Sequence, residues 1–312
     1  MENKILVTGG AGFIGSALVE HLAERAKNKV VIIDDFSTGA QSKIPKSKYK
    51  NITCIKADVN NLTEMEGIFY SNNFDYVFHY AAMVGVKRTL ANPVGVLNDI
   101  DGIRNVLSLS KNTGVKRVFY SSSSEVYGEP VEYPQNEHTT PLNSRLPYAI
   151  VKNVGEAFFK SYHKEYGLNY TIFRLFNTYG PKQSVDFVMS KFIAAAVKNK
   201  DITVYGEGNQ TRTFCFINDN IEAMTKAFYN NKVVNDVANI GSEDEITILE
   251  LAETIIKLTK SKSKIVHLPA LKEGDMTRRR PDITKMKDLL GRKLTPLKKG
   301  IMETIENHHF TI

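Results

Sequence analysis

The chain has 312 residues, of which 42% are hydrophobic and 24% charged, a composition that excludes a disordered or fibrous protein. Its net charge of +7 comes mostly from scattered lysines, which argues against a nucleic-acid-binding face. The two cysteines lie outside any CxxC or metal-ligand pattern, so we expect neither a disulfide scaffold nor a metal site.

The cellular location is predicted from two features of the sequence. The start of the chain lacks the charged-then-apolar pattern of a signal peptide, because Gly9 and Gly10 interrupt its apolar run. No stretch approaches the ~18 apolar residues of a membrane span. We therefore expect a cytoplasmic protein with no membrane partner.

The first half of the chain alternates short apolar runs with stretches of helical spacing. Strands are predicted over 4–8, 30–34, 52–58, 76–81, 117–121 and 169–175. Helices are predicted over 13–26, 62–70, 96–111 and 147–166. This alternation predicts an α/β fold, a Rossmann-type doubly wound parallel sheet with helices on both faces.

The pattern changes after residue 175. Helices are predicted over 187–199, 218–230, 247–259 and 297–307, and short strands over 202–205, 236–240 and 264–268. We predict a Rossmann domain over residues 1–175, with an element near 215–240 returning to its sheet. Residues 176–312 are predicted to form a smaller mixed α/β substrate-binding domain.

A glycine-rich turn, "TGGAGFIG", follows the first predicted strand and opens the first helix. It places Gly9, Gly12 and Gly15 where small residues let the backbone approach a pyrophosphate. Phe13 and Ile14 belong to the first helical turn, whose N–H groups and dipole favour phosphates. The motif predicts a dinucleotide site.

The second predicted strand ends in Asp34 and Asp35. A carboxylate there can accept hydrogen bonds from both ribose hydroxyls and would repel a 2′-phosphate, which favours NAD over NADP. Asp58 fits a helix N-cap equally well. The other residues predicted to line the cofactor are Ser37, Thr38, Gly39, Asp58, Val59, Ala81, Ala82 and Ser121.

Tyr148 and Lys152 lie four residues apart, on one face of a predicted helix. A nearby ammonium lowers the pKa of a phenol, so Tyr148 can take a proton from a sugar hydroxyl as hydride leaves the same carbon. A single YxxxK pair occurs by chance in many helices. Here it accompanies the glycine motif and the serine cluster of "YSSSSEVYG" at 120–128.

Together, "TGGAGFIG", the serine cluster before "VYG" and "YAIVK" resemble the extended short-chain dehydrogenase/reductase superfamily. Within it the chain is similar to the NAD-dependent nucleotide-sugar epimerases, dehydratases and decarboxylases. Counterparts of "FNTYGP", "GNQTRTF", "NIGSEDEITILELAE" and "RRRPDI" extend the resemblance over essentially the whole chain. It implies a bound NAD, oxidation of sugar carbon 4 to a ketone and return of the hydride.

The resemblance also implies residue roles. Ser123 would bind the C4 oxygen with Ser124 beside it, and Ser121 would lie beside the nicotinamide. Tyr148 would be the base, and Lys152 would hold the nicotinamide ribose and tune Tyr148. The predicted partner is a nucleotide-diphosphate sugar, and the residues that the resemblance places on it in the second half are Asn177, Arg212 and Arg279.

The family implies a homodimer that packs the helices over 96–111 and 147–166 of each subunit together. Both helices carry more apolar residues than one face requires, for example Phe158, Phe159 and Tyr162. Packing against the sheet explains that surplus equally well. The homodimer is therefore an expectation from the resemblance alone.

Glu125 bears on which reaction follows oxidation. In similar epimerases this position often holds a small or hydroxylated residue, whereas 4,6-dehydratases and UDP-glucuronate decarboxylases often have glutamate. A carboxylate near C5 could remove the C5 proton once a 4-ketone has acidified it. Pairing of the Glu125 carboxylate with a nearby basic group is the structural alternative.

The other sequence features divide between the reactions. Ser124 stands where many dehydratases have an acidic aspartate, and "AAMVGVKRTLANP" resembles epimerases and dehydratases. The segments "RRRPDI" and "ITILELAE" resemble decarboxylases, where Arg279 would bind the sugar carboxylate. Asp99 stands where the family more often has asparagine.

We expect a 4-epimerase, with a 4,6-dehydratase or a UDP-glucuronate decarboxylase using Glu125 as the alternative. A non-catalytic NAD-binding regulator is disfavoured, because it would have little need to keep Ser123, Tyr148 and Lys152 together.

Overall fold

The computed structural model describes residues 2–45, 48–129, 131–270 and 278–307. Its strands are β1 (Asn3–Thr8), β2 (Asn28–Asp34), β3 (Ile52–Lys56), β4 (Tyr76–His79), β5 (Arg117–Ser123), β6 (Tyr170–Leu175), β7 (Thr178–Tyr179), β8 (Ile202–Tyr205), β9 (Thr211–Thr213), β10 (Cys215–Phe216), β11 (Asp236–Ile240), β12 (Glu245–Thr247) and β13 (Ile265–Leu268). Its α-helices are α1 (Phe13–Ala23), α2 (Leu62–Asn72), α3 (Val86–Ala91), α4 (Pro93–Leu97), α5 (Asp99–Thr113), α6 (Pro147–Tyr166), α7 (Val188–Val197), α8 (Ile217–Tyr229), α9 (Ile248–Thr259), α10 (Thr284–Leu290) and α11 (Leu297–Asn307). Short 3-10 helices cover Gln41–Lys43 and Ser124–Tyr127.

The central sheet has seven strands in the order β11-β6-β5-β4-β1-β2-β3. β1 pairs in parallel with β2 on one side and with β4 on the other, and the parallel pairing continues to β3 and β5. The strand order reverses at β1 and β4, and the carboxyl ends of strands at such a point bind nucleotides in this kind of sheet. The predicted Rossmann-type parallel sheet is confirmed.

The strands are apolar because helices cover both faces of the sheet. Phe78 of β4 and Phe119 of β5 are fully buried and stack with ring centroids 4.2 Å apart. Phe228 of α8 meets both rings edge-on at 5.6 Å. Burying one such side chain stabilises a fold by about 1.5–3 kcal/mol, so α8 contributes strongly to this face.

The helix predicted over 96–111 is divided in the structure. α4 ends at Leu97 and α5 begins at Asp99, with Asn98 between them. The sequence did not predict α3 or the first three residues of α4, which lie just upstream of the predicted helix. Pro93 stands in the first turn of α4, where its missing N–H costs nothing, and a proline there prevents α3 from continuing.

The chain divides into two compact units. Unit 1 comprises Met1–Val126, Ser144–Arg174 and Ile221–Ala238, and unit 2 comprises Tyr127–Asn143, Leu175–Asn220 and Asn239–Ile312. Among its described residues, unit 2 contains three strand pairs, β7 with β10 and β8 with β13 in parallel and β9 with β12 antiparallel. Within the described ranges, no helix is long and apolar enough to cross a membrane.

In unit 2, α9 begins with a reciprocal cap. The Thr247 hydroxyl accepts the N–H of Glu250 at 3.0 Å, and the Glu250 carboxylate accepts the N–H of Thr247 at 2.9 Å. This capping box satisfies two backbone donors that a helix start otherwise leaves unpaired. It explains why α9 starts where the sequence changes from "EDEIT" to "ILELAE".

Candidate active site

The glycine-rich turn between β1 and α1 has no room for side chains. Gly9 has a φ of +69°, and a Cβ there would lie 2.6 Å from the backbone nitrogen of Ala81. A Cβ on Gly15 would overlap the carbonyl oxygen of Gly9. Glycine is therefore required at both positions, and the turn forms a cradle of bare backbone at the carboxyl ends of β1 and β4.

The start of α1 offers donors to an anion. Gly12 is its N-cap, and no side chain of the described residues caps the helix. The N–H groups of the first turn, which includes Phe13 and Ile14, are therefore available to an anion together with the positive end of the helix dipole. The residues present fit the pyrophosphate of a dinucleotide.

The two aspartates that follow β2 differ in exposure. Asp34 is buried, and its carboxylate accepts the N–H groups of Ala11 and Phe36, each at 2.9 Å. Burial raises the pKa of Asp34 above its ordinary value. Asp35 is exposed and accepts from the N–H and hydroxyl of Ser37 at 2.9 and 2.7 Å. A carboxylate has about four acceptor positions, so Asp34 retains capacity for ribose hydroxyls.

Asp58 lies in the loop after β3 with an exposed side chain that accepts the N–H of Asn60 at 2.9 Å. The N-cap of α2 is Asn61, whose side chain accepts the N–H of Glu64. The interpretation of Asp58 as an N-cap is therefore wrong, because the helix starts three residues later than it requires. Of the other predicted cofactor residues, Ser37 and Thr38 are exposed, Gly39, Ala81 and Ala82 are half-buried, and Val59 is buried.

Tyr148 and Lys152 lie one turn apart at the start of α6, which has Pro147 in its first turn. Lys152 is only 4% exposed, and its Nζ donates to the carbonyl oxygen of Ser121 at 2.7 Å. The same Nζ lies 5.8 Å from the ring centroid of the half-buried Tyr148. The structure therefore places the cation between the end of β5 and the phenol.

The electrostatics of this site have two opposing contributions. Burial lowers the pKa of Lys152 to about 8, and the negative charge of Asp99 opposes that shift. Burial raises the pKa of Asp99, while the N–H of Met83, 2.8 Å from its Oδ2, and the charge of Lys152 lower it. A lysine with a pKa near neutrality can hold a proton beside Tyr148 or release it.

The four serines of 121–124 have different surroundings. The Ser121 hydroxyl donates to the carbonyl oxygen of His79 at 3.3 Å, and that of Ser122 donates to the carboxylate of Glu156 at 2.7 Å. Ser123 ends β5, and its Oγ accepts the N–H of Glu125 at 3.2 Å. Ser124 is buried and opens the 3-10 helix, in which Glu125 is half-buried.

The predicted substrate residues of the second half all belong to unit 2. The amide of Asn177 donates to the carbonyl oxygen of Thr213 at 3.2 Å. Arg212 lies on β9, and its guanidinium donates to the carbonyl oxygen of Thr211 at 2.8 Å. Arg279 is buried, only 6% exposed.

Arg278, the neighbour of Arg279, contacts other residues of unit 2. The guanidinium binds both carboxylate oxygens of Glu245 at 2.7 and 2.6 Å and lies 4.4 Å from the ring centroid of Tyr133. This bidentate pair lowers the pKa of Glu245. Among the three consecutive arginines, Arg278 therefore has a structural partner.

Sequence reasoning assigned no role to two residues that lie near Lys152. Glu156 is buried four residues beyond Lys152 and contacts Ser122, and Asp99 acts on the charge of Lys152. The spacing Tyr148, Lys152, Glu156 was visible in the sequence as a repeat of four residues. No sequence signal connected Asp99 with Lys152.

The cradle at the end of β1 and the Tyr148–Lys152 helix define a nucleotide-binding α/β enzyme. The model of the NAD dependent epimerase/dehydratase family matches residues 5–241. The chain belongs to this family, and it is an NAD-dependent enzyme of the sugar-nucleotide epimerases and dehydratases. The predicted family and cofactor are confirmed.

Characterised relatives catalyse more than one reaction. The chain is 38% identical to the UDP-N-acetyl-alpha-D-glucosaminuronate decarboxylase of Bacillus cytotoxicus, over 98% of both chains. Its fold is similar to the UDP-glucose 4-epimerase of Thermotoga maritima, solved with UDP-glucose, with a TM-score of 0.91 and 31% identity over 97% of this chain and 98% of that one. It is also similar to the UDP-glucuronic acid 4-epimerase of Bacillus cereus, solved with UDP-glucuronic acid and NAD, with a TM-score of 0.88 and 29% identity over 97% and 98% of the two chains.

Proposed function

We propose that the chain is an NAD-dependent decarboxylase of a UDP-uronic acid, a UDP-sugar whose C5 carries a carboxylate. The observation that supports this choice is the 38% identity to a UDP-uronate decarboxylase over 98% of both chains. The half-buried Glu125 supports it further, because its backbone N–H donates to the hydroxyl of Ser123, the proposed C4-binding serine, at 3.2 Å and its side chain supplies a carboxyl group at this end of β5. The expected isomerase class gives way to a lyase in this proposal.

The chemistry starts at the C4 hydroxyl of the sugar. Tyr148 takes its proton while Ser123 donates a hydrogen bond to the same oxygen, and Lys152 stabilises the phenolate. NAD, which the β1–α1 turn and Asp34 would hold, would supply the acceptor for the C4 hydride and its later donor. Lys152 suits this role because its pKa is about 8 and its Nζ is fixed on the Ser121 carbonyl oxygen.

The ketone at C4 makes the C5 carboxylate a β-keto acid. The bond between C5 and the carboxylate carbon breaks, carbon dioxide leaves, and the electron pair moves to the C4 oxygen as an enolate. Hydrogen bonds from Ser123 and protonated Tyr148 stabilise that oxygen. C5 then takes a proton, for which Glu125 is the proposed donor, and the ketone forms again before its reduction. Arg279 is the proposed contact of the substrate carboxylate.

The second candidate is a 4-epimerase, favoured by the TM-score of 0.91 to the Thermotoga maritima UDP-glucose 4-epimerase. It needs the same three residues, Ser123, Tyr148 and Lys152, for the oxidation. It differs in the next step, because the keto sugar must rotate and take the hydride on its other face. No bond to C5 breaks on this route, so Glu125 has no proton to transfer.

Product analysis in deuterium oxide separates these reactions. The purified protein is incubated with UDP-glucuronate, UDP-N-acetylglucosaminuronate, UDP-glucose and UDP-N-acetylglucosamine, followed by mass spectrometry and NMR. We expect one of the two uronates to lose carbon dioxide and to gain one deuterium atom at C5. An epimer of unchanged carbon skeleton and without deuterium at C5 would contradict the decarboxylase and support the second candidate.

Two variants test whether Tyr148 and Glu125 take part in the reaction. Tyr148→Phe should lower turnover by about 10²–10⁴-fold, the usual contribution of a general base, with unchanged affinity for NAD. Glu125→Gln should slow product formation more than it slows the initial oxidation of C4. Full activity of both variants on every substrate would remove these residues from the proposed mechanism.

A further inference from the structure

A buried ion pair joins α6 to the central sheet one turn beyond Lys152. The carboxylate of Glu156 binds Nε and Nη2 of Arg174, on β6, at 2.8 and 2.7 Å. The two residues are each 1% exposed. Two charges so deeply buried need each other, because removal of either leaves the other unpaired in the interior.

The same carboxylate reaches the strand that carries the catalytic serine. Glu156 Oε1 accepts the hydroxyl proton of Ser122 at 2.7 Å, and Ser122 directly precedes Ser123. One turn earlier on α6, Lys152 Nζ donates to the carbonyl oxygen of Ser121 at 2.7 Å. Two side chains on one face of α6 therefore bind consecutive residues of β5.

Close packing between these two bonds leaves the helix little freedom. A Cβ on Gly155 would overlap the hydroxyl of Tyr120, so α6 lies almost directly on β5. The ring of Phe159, on α6, stacks on Tyr120 with centroids 4.7 Å apart. The distance of α6 from the sheet is thus set by contact, and its register along β5 by the hydrogen bonds.

We propose that Glu156 is a positioning residue for the reaction. Through Ser122 and Arg174 it fixes α6 against the ends of β5 and β6, and so sets the distance from Tyr148 to the oxygen that Ser123 binds. Glu156 touches no reacting atom and acts through these two partners. The proposal rests on the proposed oxidation at C4, which needs Ser123 and Tyr148 at one oxygen.

Two variants separate the hydrogen bond of Glu156 to Ser122 from its ion pair with Arg174. Ser122→Ala removes the bond to β5 and leaves the ion pair intact, so it should fold normally. Glu156→Gln keeps an acceptor for Ser122 but removes the charge that pairs with Arg174. We expect kcat to fall about tenfold in Ser122→Ala and about 100-fold in Glu156→Gln. A displacement of the reacting groups by about 1 Å costs up to about 100-fold in rate. The KM for the UDP-sugar and the affinity for NAD should stay within about twofold in both, because no binding contact changes.

Asp219→Asn is the matched control. The side chain of Asp219 is equally buried, at 1% exposed, and binds a hydroxyl, an N–H and a guanidinium. Its partners are Thr295 at 2.7 and 2.9 Å and Arg292 at 2.8 Å, all in unit 2. This variant removes a buried carboxylate charge outside unit 1, so it should lose some stability and keep the wild-type kcat below its unfolding temperature.

Hydrogen exchange gives a readout that does not depend on turnover. Amides of residues 148–160 should exchange faster in Ser122→Ala and Glu156→Gln than in the wild type, and at the wild-type rate in Asp219→Asn. Wild-type kcat or wild-type exchange in Ser122→Ala and Glu156→Gln would overturn the proposal, as would a kcat loss no larger than that of the control. A wild-type protein that converts no UDP-sugar would refute the proposed function, and the exchange rates would still decide the role of Glu156.

Discussion

Lys152, for which we propose a catalytic role, carries a cost in stability. Burial lowers its pKa from the ordinary 10.5 to about 8. Because the folded-state pKa lies below the unfolded one, the buried ammonium destabilises the fold fully below about pH 8, and this cost is relieved as the pH rises toward 10.5. At about 1.4 kcal/mol per pKa unit, the cost is about 3 kcal/mol.

Lys152→Met should reveal this cost. At neutral pH its free energy of unfolding should exceed that of the wild type by up to about 3 kcal/mol, and its turnover should be lost. The difference in stability should shrink between about pH 8 and 10.5, since wild-type Lys152 becomes neutral there. Denaturant titrations across this pH range measure it. A difference that does not vary with pH would show that the charge is not its origin.

At this scale, spacing alone predicted that Tyr148 and Lys152 share a helical face, because a helix repeats every 3.6 residues. The influence of Asp99 on Lys152 had no such basis. It depends on where α5 starts and on the backbone N–H of Met83, which holds the Asp99 carboxylate at 2.8 Å.

Among the elements, α6 carries both Tyr148 and Lys152 of the proposed mechanism. The sequence predicted its bounds correctly, because Pro147 marks its start and Gly167, in a left-handed conformation, ends it. The sequence could not show which face approaches the sheet most closely. Gly155 lies on that face, opposite the Tyr120 hydroxyl.

Gly155→Ala should therefore destabilise the protein although alanine favours helices by about 1 kcal/mol. The new methyl group would overlap the Tyr120 hydroxyl, and such overpacking costs about 1–3 kcal/mol. Adding Tyr120→Phe should recover part of the loss, because that hydroxyl has no hydrogen-bond partner among the described residues. Equilibrium unfolding of both variants measures the effect, and a Gly155→Ala protein more stable than the wild type would contradict this packing.

In the whole molecule, the strands of the central sheet are arranged in a different order from their order along the chain. β11, from Asp236–Ile240, forms one edge of the sheet beside β6, and the helix that carries Phe228 covers Phe78 and Phe119. Both elements lie outside residues 1–175, in the segment near 215–240 that the sequence predicted to return to this sheet. A truncation tests that prediction.

A chain of residues 1–175 should fail to fold cooperatively or to bind NAD, since it exposes the apolar face that α8 covers. A chain of residues 1–240 should regain NAD binding, because it contains all three segments of unit 1. Isothermal titration with NAD and near-ultraviolet circular dichroism compare them. NAD binding by the shorter chain at full-length affinity would show that the returning segment is not needed for the NAD site.

By itself, the sequence determined the parallel α/β fold, the dinucleotide motif and the pairing of Tyr148 with Lys152, because these depend on periodicity and on glycine geometry within short segments. The tertiary structure alone decided that Ser122 belongs to a buried network while Ser123 ends the strand, and that Glu156 and Arg174 meet beneath them. Those contacts join residues distant along the chain, and their hydrogen bonds form only after the sheet has brought β5, β6 and α6 together.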